Sequence, residues 1–83
     1  MIVTFSTNVG IFSGYLDSDG MIHIYENEED CPTATISAPT RRQPVLDTSA
    51  NGVMRAVRAW LEQTYERLEI EVITARINPT IGS

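Results

Sequence analysis

Only one stretch of this 83-residue chain has helical periodicity, and the remaining patterned segments read as short strands. Val53, Val57, Trp60, Leu61, Thr64 and Leu68 recur at steps of three and four, which puts them on one face of a helix running to about residue 68. Arg55, Arg58, Glu62 and Glu66 fall roughly opposite, and Arg58 and Glu62 are spaced to pair. Asp47, Thr48 and Ser49 each offer a side-chain oxygen to cap the first turn. A lone amphipathic helix must bury its apolar stripe against something else. Here that partner is a sheet built from the runs on either side of it.

Residues 2–6 and 11–16 have strand composition and are separated by the turn-like Thr7-Asn8-Val9-Gly10. Asp17-Ser18-Asp19-Gly20 then leads into 21–25, and Asp-Gly between two apolar runs is a strong hairpin signal. In 21–25, alternation places Ile22 and Ile24 on one face and Met21, His23 and Tyr25 on the other. A short run over 33–38, closed by Pro39, reads as an edge strand, and 39–46 reads as a loop. Residues 70–77 form the last strand before Asn78-Pro79. The expected fold is α+β: an antiparallel sheet of four to five strands packed on one amphipathic helix, in the order β-β-β-(β)-α-β. One domain spans 1–83, since the length leaves no room for a second core. The single helix covers one face of the sheet and leaves Tyr15, Met21, His23 and Tyr25 on the open one.

Several classes of chemistry are disfavoured by what the chain contains. One cysteine, Cys31, rules out an internal disulfide framework and a multi-cysteine zinc site. No apolar run approaches the ~20 residues a membrane span needs, and the N-terminal run lacks the pattern of a signal peptide. A reducing cytoplasm is the expected setting. Asp17-Ser18-Asp19-Gly20 with Glu28 has some of the spacing of a calcium loop, but Ile22 stands where such a loop requires glycine. Cys31 and His23 are one of each nucleophile and base type, yet the cysteine follows Glu28-Glu29-Asp30, whose field works against a thiolate. No phosphate loop, hydrolase motif or carboxylate pair is visible, so no enzyme, no cofactor and no metal are expected.

Charge is laid out unevenly. Residues 1–40 carry six acidic side chains and no Lys or Arg, a charge of −6; residues 41–83 carry six Arg against five acidic groups, a charge of +1. Asp17, Asp19, Glu26, Glu28, Glu29 and Asp30 fall within fourteen residues. Such a cluster repels itself and steers association with basic surfaces. These six are the expected partner-binding residues, with Tyr15, Tyr25, Arg41 and Arg42 as secondary candidates. The partner expected is a protein with a basic surface, with neither a membrane nor direct nucleic-acid binding favoured.

In size, acidity and order of elements, the chain resembles small phage-encoded anti-CRISPR proteins, chiefly those that act on multi-subunit RNA-guided complexes. That group shares no motif, so the resemblance assigns no residue. It implies a stoichiometric inhibitor, a nucleic-acid mimic that blocks a basic channel of a CRISPR effector complex in the host cytoplasm. Two other readings stand beside it. One is a self-associating assembly subunit, such as a homodimer closed through the sheet edge or open face. The other is a weak nucleic-acid-binding module using Arg41, Arg42, Arg55 and Arg58 beside the helix N-terminus.

Overall fold

A computed structural model of the chain describes residues 1–27, 29–42 and 45–76. Glu28, the Gln43-Pro44 pair within the expected loop, and residues 77–83, including the expected end of the last strand, lie outside the described residues. The elements are β1 (Ile2–Thr7), β2 (Gly10–Leu16), β3 (Met21–Glu26), β4 (Ala34–Ser37), β5 (Thr40–Arg42), β6 (Val45–Leu46), α1 (Ala50–Thr64) and β7 (Ile70–Arg76). Five of the strands form one antiparallel sheet in the order β4-β3-β2-β1-β7, and β5 pairs with β6 in a separate two-stranded hairpin. The α+β class and the order read from the sequence are those of the structure.

Alternation along each strand decides which side chains meet the helix. Val3 and Phe5 of β1, Phe12 of β2, and Ile22 and Ile24 of β3 are fully buried, as are Val53, Val57 and Leu61 of α1. The register explains this: Phe5 stands opposite Phe12, and Gly14 opposite both Val3 and Ile24. Gly14 is where the two layers come closest. A Cβ there would lie 2.8 Å from Val57 Cγ2 and 3.2 Å from Ile22 Cγ2, so a bare backbone lets the helix sit down on β2. At the other end of the helix, Trp60 meets Phe12 edge-on at 6.3 Å and Tyr65 packs on Phe12 at 5.5 Å.

The helix starts where its caps predict. Ser49 is the N-cap, and its hydroxyl accepts the Gly52 amide at 3.1 Å. Asp47 orients that cap by accepting from the Ser49 amide at 3.1 Å and the Ser49 hydroxyl at 2.5 Å, while Arg55 Nη2 donates to its other oxygen at 2.8 Å. These donors, the Ser49 hydroxyl first, hold the Asp47 carboxyl below its ordinary pKa. Gly52 is buried against Asp47, and a Cβ there would collide with the Asp47 carbonyl and carboxyl.

Two sequence expectations are corrected at the helix flanks. The helix ends at Thr64, not near residue 68, and Tyr65 is already extended. The segment that follows is held by the β1–β2 turn: Asn8 donates its side-chain amide to the Arg67 carbonyl at 2.7 Å, and its Oδ1 accepts the Glu69 amide at 2.8 Å. Leu68 still packs on the core, but from this non-helical segment. The stretch read as a loop carries the β5–β6 hairpin, with Thr40 opposite Leu46 and the Asp47 amide bonded to the Pro39 carbonyl. Leu46 lies over Gly20, whose φ of 84° favours glycine. Arg55 pairs with Asp47, and the Arg58–Glu62 pair is not among the ion pairs of the described residues.

Candidate protein-binding surface

The described acidic residues of the run 17–30 do not form one patch. Asp17 and Asp19 stand at the turn before β3, and Glu26, Glu29 and Asp30 at its far end. Six residues of strand set these groups about 17 Å apart along the sheet. Their surroundings differ as well. Asp17 is the hub of the turn: Oδ1 accepts the amides of Asp19 at 2.8 Å and Met21 at 3.0 Å, and Oδ2 accepts from His23 Nε2 at 2.7 Å. The His23 bond is the foremost cause of a lowered Asp17 pKa, with the Met21 amide next. Glu26 turns toward the helix side, where it accepts the Tyr65 hydroxyl at 3.3 Å. Burial, and then the Glu26 charge, raise the pKa of that phenol above its ordinary value. Asp19, Glu29 and Asp30 are exposed and have no ion pair among the described residues.

Among the described residues no helix covers the face of the sheet away from α1, and the register fixes its rows. Arg76, Ile2, Tyr15, His23 and Thr35 form one row across all five strands. Thr74, Thr4, Ser13 and Tyr25 form the next. Tyr15, Met21, His23 and Tyr25 thus share the open face. Two of these rows meet the end of β3 at a shallow hollow lined by Ile2, Ser13, Tyr15, Tyr25, Asn27 and Glu29. Asn27 shapes that corner: it takes up a left-handed backbone at φ 57°, and its amide and side-chain oxygen both bond to the backbone of Ile11. The chain is turned so that Glu29 returns to the rim beside the two tyrosines.

This hollow gathers three of the sequence-predicted residues, Tyr15, Tyr25 and Glu29, and adds Ile2, Ser13 and Asn27, which sequence reasoning missed. Strand alternation carried a signal for Ile2 and Ser13, but only the β1–β2–β3 register reveals that they are neighbours of the tyrosines. A tyrosine pair with a carboxylate at its rim suits a cationic side chain, which finds aromatic faces and a counter-charge together.

His23 sits at the same surface in a line of three side chains. Its Nδ1 lies 3.3 Å from the Thr35 hydroxyl, and its Nε2 donates to Asp17 at 2.7 Å. The order hydroxyl, imidazole, carboxylate has the connectivity of a nucleophile line. Here it spans β4, β3 and the turn, the Asp17 carboxylate is already engaged by two amides, and the hollow at Tyr15 and Tyr25 does not include Thr35. What the line does is tie the edge strand to the turn. Both ring nitrogens are engaged, so neither serves Cys31, which is exposed on the following loop. Among the described residues no three acidic, His or Cys side chains gather as a metal site.

Arg41, Arg42, Arg55 and Arg58, the four arginines of the nucleic-acid reading, divide between two hollows. Arg41 and Arg42, exposed on β5, line one with Val45. Arg55 and Arg58 line another with Asn51, Met54 and Ile73. No helix among the described residues is long and apolar enough to cross a membrane. Comparison with protein families, curated proteins and solved structures finds no match to this chain.

Proposed function

We propose that the chain is a non-enzymatic inhibitor that binds a basic protein surface through the Tyr15–Tyr25 hollow and the acidic groups around it. The observation that carries this reading is Glu29 at the rim of a hollow walled by two tyrosines on an uncovered sheet face. An arginine or lysine of the partner seats between the rings, with Glu29 and Asp30 as counter-charges and Asp19 as an outlying one about a strand's length away. Glu28 belongs to the same acidic run in sequence. The resemblance to anti-CRISPR proteins in size, acidity and element order supports the kind of partner: a nucleic-acid-binding channel of a host defence complex, blocked in the cytoplasm by an acidic mimic. Asp17 and Glu26 serve this function less directly than their charge suggests, because their oxygens are committed to the turn and to Tyr65.

The experiment is retention of basic proteins, purified CRISPR effector complexes among them, on the immobilised chain. Retention is expected at low salt and release at high salt. Tyr25→Ala, or Glu29→Arg with Asp30→Arg, is expected to weaken it roughly tenfold or more. Retention unchanged by both variants would overturn the reading.

A further inference from the structure

The two edges of the sheet are finished differently. β4 is four residues long and stands between Pro32 and Pro39, which blunts it against further pairing. β7 is seven residues long and contains neither Pro nor Lys. After an irregularity at its start, it runs in register with β1 from Val72 to Arg76.

The direction of its backbone groups follows from the ladder. Leu16 donates its amide to the Met1 carbonyl, so the odd residues of β1 turn their backbone groups toward β2 and the even ones toward β7. Arg76, Thr74 and Val72, opposite Ile2, Thr4 and Ser6, therefore bond inward. Ile73 and Ala75 point their N–H and C=O groups out of the sheet, and among the described residues nothing is bonded to them. Their side chains, opposite Phe5 and Val3, lie on the helix side.

The helix leaves room there. α1 lies over β1, β2 and β3. Between it and β7 is the hollow walled by Met54 and Ile73 and rimmed by Asn51, Arg55 and Arg58. A sixth strand laid along β7 would bond to Ile73 and Ala75 and direct alternate side chains into this hollow. Arg58 is exposed and without a carboxylate within ion-pair reach among the described residues, and Arg76 stands at the strand's end. Against them β7 itself carries one acidic residue, Glu71.

We propose that the β7 edge and the hollow beside it dock an extended acidic segment of a partner protein. The segment adds to the sheet as a sixth strand with carboxylates facing Arg58. This surface shares no lining residue with the hollow at Tyr15 and Tyr25, and it stands independently of that hollow's role. A second copy of this chain is the poorer occupant, because β7 against β7 brings two sets of Arg55 and Arg58 to one seam.

The test uses the full chain and a blocked peptide of alternating glutamate and valine, with its lysine–valine counterpart as control. Amide exchange is followed by NMR. The glutamate peptide is expected to slow exchange at Ile73 and Ala75 about tenfold at saturation, and the lysine peptide to leave it unchanged. Ala75→Pro removes an outward N–H without touching the β1 ladder and is expected to abolish binding. Arg58→Glu, at an exposed position, is expected to weaken the glutamate peptide at least about fivefold. The proposal is overturned by any of three results: no protection at millimolar peptide, equal effects of both peptides, or protection of Ile73 and Ala75 in the free protein that rises with protein concentration. The last of these would mean that copies of the chain pair through β7.

Discussion

Asn8 and Glu69 are bonded twice, with the Asn8 amide donating to the Glu69 carbonyl at 3.1 Å and the Glu69 amide donating to Asn8 Oδ1 at 2.8 Å. A residue of the first turn thus holds the segment that leads from the helix into the last strand. Asn8→Ala is expected to cost about 1 kcal/mol, since the bonds it removes are solvent-exposed and water replaces part of them. Urea unfolding monitored at Trp60 measures this. A wild-type midpoint in the variant would show that the turn does not hold the segment.

The close approach at Gly14 gives a coupled pair. Gly14→Ala puts a methyl 2.8 Å from the stiff, β-branched Val57 and is expected to cost about 1–3 kcal/mol. Val57→Ala alone loses buried contacts and costs on the order of 1–3 kcal/mol. In the double variant the new methyl enters the space that Val57 gave up, so the combined loss is expected to fall short of the sum. Thermal unfolding of the four proteins tests it, and simple additivity would mean that the layers separate there without cost.

Asp17 makes the turn sensitive to acid. Its pKa lies below 3.8 in the folded chain, so its charged form is favoured by folding. The stability it contributes is fully present above 3.8 and is lost as pH falls through the lower folded value. The stability advantage of wild type over Asp17→Asn is therefore expected to shrink as the pH falls below about 4. Denaturation midpoints taken between pH 2 and 7 read this directly, and a pH-independent difference would contradict it.

Tyr65 works in the opposite direction. Burial and the Glu26 charge raise its pKa above 10.0, so its contribution is present below that pH and is lost as the pH climbs through the higher folded value. Wild type is expected to lose stability relative to Tyr65→Phe in alkaline solution, with ultraviolet absorbance reporting phenolate formation in the same samples. Parallel pH profiles of the two proteins would contradict a raised pKa of the phenol.

The parts of the fold legible in the sequence are those set by local chemistry. Asp-Gly fixed a hairpin, alternation separated Ile22 and Ile24 from His23 and Tyr25, and the Asp47–Ser49 run marked the helix start through interactions within a few residues. The segment after the helix was not legible, because it is held by Asn8, more than fifty residues earlier in the chain. The β5–β6 hairpin is too short for a period to register. At the surface, composition identified the acidic residues and the tyrosines. It could not show that β3 separates the described acidic groups, nor that Asn27 brings Glu29 back to Tyr15 and Tyr25. Those facts depend on register and on one left-handed residue.

The pairing of β1 with β7 also bears on how the molecule assembles. Ile2 lies opposite Arg76, so β1 is completed by a strand made long after it. During synthesis β1 has β2 on one flank and an open flank on the other until some seventy further residues have left the ribosome. Closing so long a loop is entropically costly and places that step late. Folding of this small domain is therefore expected to be slow for its size, with its greatest exposure to mispairing before β7 arrives.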